Sequence, residues 1–419
     1  MKRFFKNIFG DVLLKQSALI FTSGMFVNVT NLVFWLYMVR KLSAQDYGVL
    51  NSLIALLMLF CVPLNVLQTV VVRYISKFMA HDKKEEARAL LLYFAKPLGI
   101  FVGVVFVVFI LFAHKIAAFL LLERSGLIVL IGFGIAFSST SILTLGTLVG
   151  LQEFNAIALN SALTGVAKLG IGFSLVALGC KVLGAFLGFI LSFVMTFVVS
   201  LFQLPAWLKA SRHKPVAISF DRKEVQRYFL PVGLTTLCFF VLTNIDVILV
   251  KHFFSATEAG YYSVAQMVGK MVLFVPGAVG IVMFPKVVAT HAKNEDTRFL
   301  LYRCLWAVGI LCGCVTLGAL FFPDLILKTL TGHVYPQAAA LVDFFALSMT
   351  FFALDNILML YHLSLHNMKY IILMCCAAVL QVVVIWFVHA TLAQVLGILF
   401  VNSVFLFVTG CVLTRKGAA

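Results

Sequence analysis

Residues 370–414 read YIILMCCAAVLQVVVIWFVHATLAQVLGILFVNSVFLFVTGCVLT, with no Asp, Glu, Lys or Arg among them. One helix crosses the hydrocarbon core of a bilayer with about 20 apolar residues, so this run holds two spanning helices. Lipid offers the backbone no hydrogen-bond partner, which leaves helices or a closed barrel, and the run lacks the alternation of a barrel strand. Uncharged runs recur at Gly126–Gln152, Val182–Leu208 and Cys304–Pro323. The chain therefore reads as all-α and polytopic. Twelve spans are expected, at 17–38, 49–72, 91–113, 127–149, 155–178, 182–206, 228–250, 261–284, 300–322, 339–362, 368–389 and 391–413.

Composition says the same of the whole chain. Of 419 residues, 63% are hydrophobic and 11% charged, and Phe occurs 42 times; a soluble domain is about a quarter charged. The formal charge of +16 would suggest nucleic acid in a soluble protein. Here it segregates by side of the membrane: 23 Lys/Arg fall on the side of the termini, seven in the opposite loops, and Lys168 and Lys270 inside spans. By the positive-inside rule both termini are expected in the cytoplasm. The first apolar span runs into Trp35, Tyr37, Arg40 and Lys41 without a cleavage site, so it reads as a spanning helix and not a signal peptide. Before it, MKRFFKNIFG suits either a short interfacial helix or a basic tail. Most of the nine cysteines lie in or at the ends of apolar spans, which argues against a disulfide framework, and no metal-ligand spacing occurs.

The chain repeats itself. At a shift of 212 residues LSAQDYGVLN (Leu42–Asn51) meets FSATEAGYYS (Phe254–Ser263), and Leu148, Leu151 and Asn155 meet Leu360, Leu363 and Asn367. At 213, Val182-Leu183-Gly184 meets Val395-Leu396-Gly397. Six helices per copy give both copies one orientation, the arrangement of transporters with parallel repeats. The expected organisation is a six-helix lobe at 1–206, a basic cytoplasmic linker at 207–227 and a second six-helix lobe at 228–419.

The segment NIDVILVKHFFSATEAGYYSVAQMVGK (Asn244–Lys270), its counterpart VRKLSAQDYGVLNSL (Val39–Leu53), LVGLQEFNAIALNSALTGVAK (Leu148–Lys168) and VLGAFLGFILS from Val182 resemble the polysaccharide flippase branch of the MATE/MurJ-like exporter superfamily, over essentially the whole chain. The resemblance implies a V-shaped pair of lobes in a bacterial inner membrane, with helices 1, 2, 7 and 8 lining a cavity. It also implies a non-enzymatic, cofactor-free transporter whose cargo is a polyprenyl-pyrophosphate-linked oligosaccharide moved from the cytoplasmic to the periplasmic leaflet. Membrane lipids, other polysaccharide-assembly membrane proteins and a coupling H+ or Na+ are the partners expected, and no nucleic acid. Two further C-terminal helices of the lipid II flippases are absent from this chain, which argues against that cargo.

Ionisable groups inside spans cost about 2.5–3.5 kcal/mol each and tend to face a cavity or a partner. On helix 8, Ser263, Gln266 and Lys270 share a face that Gly277 continues, placing a cation where a pyrophosphate could bind; a snorkelling or carboxylate-paired lysine is the alternative. On helix 5, Lys168 shares a stripe with Ser161, Thr164 and Gly172, suited to a substrate or to interhelical packing. Helix 1 offers Gly24, Asn28, Asn31 and Trp35, and helix 2 Asn65, Thr69 and Arg73. Amides and an aromatic ring are what a sugar binds. Asp246, with Thr236 and Thr243, and Asp355, with Ser348 and His362, are candidates for a coupling ion or for helix pairing. Asp46 opposite Glu258 reads as turn chemistry.

Two other functions share some of these features. A cation-coupled antiporter of the MATE type has the same architecture, but the first half here carries no intramembrane acid. A membrane glycosyltransferase or polysaccharide polymerase needs catalytic carboxylates in a sizeable outer loop, and the expected outer loops are short.

Overall fold

The structure, a computed structural model, describes residues 12–62, 64–209, 222–273, 279–280, 283, 286–287, 290, 296–333, 335–365 and 367–416. Outside them lie the amphipathic start of the chain, most of the basic linker, Gly277 and Ala419. Almost all the described residues are helical and none is in a strand, as lipid demands of a backbone that must satisfy its own hydrogen bonds.

The helices are α1 (Val12–Lys41), α2 (Ala44–Cys61), α3 (Leu64–Met79), α4 (Lys84–Leu111), α5 (Ala113–Phe119), α6 (Gly126–Gly150), α7 (Phe154–Leu175), α8 (Lys181–Gln203), α9 (Ala206–Lys209), α10 (Arg222–Phe253), α11 (Ala256–Val272), α12 (Arg298–Phe321), α13 (Pro323–Thr331), α14 (Pro336–Ser364), α15 (Met368–Phe387) and α16 (Leu392–Lys416). Ten stretches of the described residues are long and apolar enough to cross a membrane. One of these, Phe154–Gln203, is two helices: the chain reverses through Val176–Cys180, where Gly179 takes φ +87°. That is a left-handed conformation open to glycine without steric cost. Counting that stretch as two and adding α11, which lies at the place of the expected eighth span, gives twelve among the described residues.

The expected second span, 49–72, is corrected. It is two helices: α2 ends at Cys61 and α3 begins at Leu64, just after Pro63. A proline has no N–H to give the preceding turn and pushes the residue before it out of the helical region. The second piece is amphipathic: Val66, Leu67, Val70, Val71, Tyr74, Ile75 and Phe78 are buried, whereas Asn65, Thr69, Arg73 and Lys77 are exposed.

The chain divides into two compact units, Met1–Lys41 with Leu56–Phe229, and Leu42–Ala55 with Leu230–Ala419. In the first, α3, α4 and α6 enclose a core of Leu67, Val71, Ile75, Leu90, Leu98 and Ile142. A Cβ at Gly150 would come within 2.7 Å of Ile75, so glycine lets α6 close on α3. Likewise a Cβ at Gly188 of α8 would come 2.5 Å from the Gly172 Cα of α7, the close backbone approach that small residues permit between membrane helices. In the second unit α14 is the central helix, with Phe345, Met349, Phe352, Ile357 and Leu358 inaccessible. Gly269 of α11 seats against Phe345.

Both copies of the repeat motif begin their helix in the same way. Glu258 N–H donates to Ser255 Oγ (3.3 Å) while Ser255 N–H donates to the Glu258 carboxylate (3.1 Å), and Asp46 N–H donates to Ser43 Oγ (3.1 Å). Ser43 and Asp46 thus match Ser255 and Glu258 in role as well as position, which satisfies amides that a helix start leaves orphaned.

Candidate functional site

In the second unit the capped start of α11 fixes which of its residues face α10. Tyr262 and Gln266, one turn apart, both reach Asp246, which is fully buried: Tyr262 Oη donates to Asp246 Oδ2 at 2.8 Å and Gln266 Nε2 to the same oxygen at 3.0 Å. The Gln266 carbonyl accepts from Asn51 Nδ2 at 3.0 Å. One turn further on, Lys270 Nζ donates to Asn244 Oδ1 at 2.8 Å, and Asn244 Nδ2 donates in turn to Thr243 Oγ1 at 2.9 Å. The Lys270 ammonium also acts on the Asp246 carboxylate through its charge. The result is one polar chain made of two hydrogen-bonded runs, Asn51–Gln266–Asp246 and Lys270–Asn244–Thr243, related to each other by charge alone.

Within this chain the groups differ in what they leave open. Asp246 Oδ1 and Ser263 Oγ are buried with no partner among the described residues. Lys270 stays partly exposed although its neighbours Val268 and Gly269 are buried. An ammonium tethered by a neutral amide oxygen keeps donors for an anion, and a half-satisfied carboxylate keeps an acceptor for a proton or a small cation.

Asp355 on α14 stands apart from that chain. It is 1% exposed and neither carboxylate oxygen has a partner among the described residues. His362, two turns along, is engaged elsewhere. Its Nε2 lies 3.3 Å from the Gly410 carbonyl, its Nδ1 3.1 Å from Asn367 Nδ2, and its ring stacks on Tyr370 at 4.4 Å. A bare carboxyl at this depth is costly unless it carries a proton or binds a cation.

The first unit brings together two of the sequence candidates. Lys168 Nζ donates to Asn31 Oδ1 and lies over the rings of Phe34 and Phe189, 5.3 and 5.9 Å from their centroids. Trp35 meets Phe34 edge to face at 5.8 Å. Lys168 is only 7% exposed, and its stripe is occupied by helix packing: Thr164 bonds Thr196 at 2.9 Å and Asn160 reaches the Thr196 carbonyl at 3.0 Å. Asn28 and Arg73 lie on exposed faces of α1 and α3. Sequence reasoning missed Asn51, Tyr262 and Asn244. The signal available was spacing, since Tyr262 and Gln266 are four apart on the helix that carries Lys270.

A family profile described as "Polysaccharide biosynthesis protein" matches residues 13–291. No curated protein sequence matches the chain. Among solved structures, an inward-facing multidrug resistance MATE family transporter of the MOP superfamily aligns over 93% of this chain and 94% of its own, at 14% identity and TM-score 0.71. The lipid II flippase MurJ in an inward closed conformation aligns over 96% and 87%, at 13% identity and TM-score 0.72. A MOP superfamily transporter from Pyrococcus furiosus aligns over 95% and 93%, at 16% identity and TM-score 0.53. At these identities the likeness is one of fold.

Proposed function

The chain belongs to the polysaccharide biosynthesis protein family, and from that premise we propose that it is a flippase for a polyprenyl-pyrophosphate-linked oligosaccharide, working by alternating access in a bacterial inner membrane. The observation that carries this reading is Lys270, a partly exposed lysine in the last turn of α11 whose ammonium is held by the Asn244 amide. A pyrophosphate entering the membrane interior needs such a cation, and a neutral drug or an organic cation does not. Gln266 holds α10 and α11 together around it. Arg73 on the polar face of α3 adds a second cation for the anionic cargo, and Asn28, Asn31 and Trp35 offer amides and a ring to sugar. Lys168 acts through Asn31, by orienting that amide. The moving bodies are the six-helix repeats, 1–206 and 228–419, joined by the basic stretch 207–227. Asp246 and Asp355 are the candidates to take H+ or Na+ in exchange.

A cation-coupled small-molecule antiporter has the same fold and remains the competing reading. The experiment that separates them is transfer of a fluorescent polyprenyl-pyrophosphate oligosaccharide across vesicles holding the Lys270 variants. Lys270→Arg, which keeps the charge and offers a phosphate-binding fork, retains much of the flipping, and Lys270→Met, with similar length and no charge, loses most of it while still inserting. A Met variant that flips at the parent rate removes Lys270 from the cargo site.

A further inference from the structure

We propose that the groove between α15 and α16 holds one acyl chain of a membrane phospholipid. The internal repeat shows how the groove arises. By the shift of 212, Gly172 of α7 corresponds to Val384 of α15, and by 213, Gly188 of α8 corresponds to Val401 of α16. In the first copy the two glycines bring the backbones into contact. In the second, valines stand at both positions and line a cavity between the helices. Gly184, packed against Leu175, has Gly397 as its counterpart, and a Cβ added at Gly397 would meet nothing within 4 Å. Between the helices lies a cavity of about 460 Å³ lined by Leu380, Val384, Gly397, Ile398, Val401 and Phe405, within the size range of small-molecule sites.

Its polar floor is already satisfied. Gln381 Nε2 donates to the Leu242 carbonyl at 2.9 Å, and Asn402 Nδ2 donates to Gln381 Oε1 at 2.9 Å. An occupant therefore meets carbon. The cavity is continuous with the lipid-facing surface, where Leu380, Val401 and Phe405 on its rim are about half to two-thirds exposed, so lipid is what reaches it. A void there would forfeit dispersion contacts along its walls. The lining runs from Leu380 of α15 to Val388 just past its end, about 12 Å at 1.5 Å per residue, close to half of a hydrocarbon core of about 30 Å. That is the reach of a chain from one leaflet. A polyprenyl tail would overrun it.

The proposal does not depend on the identity of the cargo. Its test uses the full chain in vesicles of phosphatidylethanolamine and phosphatidylglycerol, doped with a phosphatidylglycerol bearing a diazirine on one acyl chain. After irradiation, mass spectrometry should find label on Leu380, Ile398 and Val401 several-fold above that on Val315 and Phe321, lipid-facing residues of α12. Gly397→Phe fills the groove and should cut the groove label several-fold while leaving the α12 label unchanged, which also reports that the variant is folded. Val401→Trp, on the rim, should do the same if the first variant inserts poorly. Equal labelling of the two surfaces, or groove label indifferent to both variants, overturns the proposal. So does label delivered by a diazirine polyprenyl phosphate in place of the phospholipid, or a cross-link between two copies of the chain through these residues.

Discussion

Gln45 Nε2 donates to Thr257 Oγ1 at 2.7 Å, and the two residues are 212 apart, which is the period of the repeat. Each is therefore the other's counterpart. Beside them a Cβ on Gly48 would lie 3.0 Å from the Gly260 Cα, again a residue meeting its own equivalent. A contact between equivalents is what a two-fold axis produces, and here it joins the starts of α2 and α11 within the second unit.

This contact should be intolerant of side chains. A Cβ on Gly260 would overlap the Ala44 carbonyl, whereas one on Gly24 meets nothing. Gly260→Ala is expected to cost about 1–3 kcal/mol, the usual range for overpacking, and Gly24→Ala close to nothing. Thermal unfolding in detergent compares them, and equal midpoints would show that the α2–α11 contact yields freely.

If the contact must open during transport, linking it will stop the cycle. Gln45→Cys with Thr257→Cys, joined by a short cleavable bifunctional thiol reagent, is expected to arrest flipping, and reduction to restore it. Undiminished flipping in the linked protein would make the contact a permanent brace.

The two buried carboxylates should respond differently to loss of charge. Asp246→Asn strips Lys270 of its charge partner and disturbs two hydrogen bonds, so stability falls by about 1–3 kcal/mol. Asp355 has no hydrogen-bond partner to lose among the described residues, and Asp355→Asn should fold as well as the parent. If Asp355 carries the coupling ion, that variant alone keeps its stability and loses the dependence of transport on pH or sodium. A parent-like ion dependence in Asp355→Asn assigns it no part in coupling.

Topology can be read from a native residue. If both termini are cytoplasmic, the turn between α7 and α8 lies outside, and Cys180 there is exposed. The exposed Cys314 and Cys376 lie within spans, where lipid covers them. A membrane-impermeant maleimide added to intact cells should label Cys180. Labelling that appears only after permeabilisation would invert the orientation.

The spans were legible because lipid imposes a length and an apolarity that single residues cannot override. The break between α2 and α3 was legible in principle from the proline in the sequence at 63, but the unbroken hydropathy around it masked it. The side chains were harder to read. Helical spacing put Gln266 and Lys270 on one face, yet their partners Asp246, Asn244 and Asn51 come from elsewhere in the chain and depend on how helices cross. Spacing likewise grouped Asp355 with His362, and the structure turns His362 toward Asn367 and Gly410. Periodicity tells which side of a helix a residue takes, and the packing of the neighbour decides what it touches.

Lys168 leans on the Asn31 amide and two phenylalanine rings, and no described carboxylate pairs with it. An ion pair would cancel its own field, whereas an amide orients the ammonium and leaves the charge in place. Any voltage across the membrane therefore acts on α7 directly. One elementary charge crossing the full potential is worth about 2.3 kcal/mol per 100 mV, so displacement through half of it does about 1 kcal/mol of work. A conformational change that carries α7 along the membrane normal is thus biased by the cell's electrical state before any ion or cargo binds.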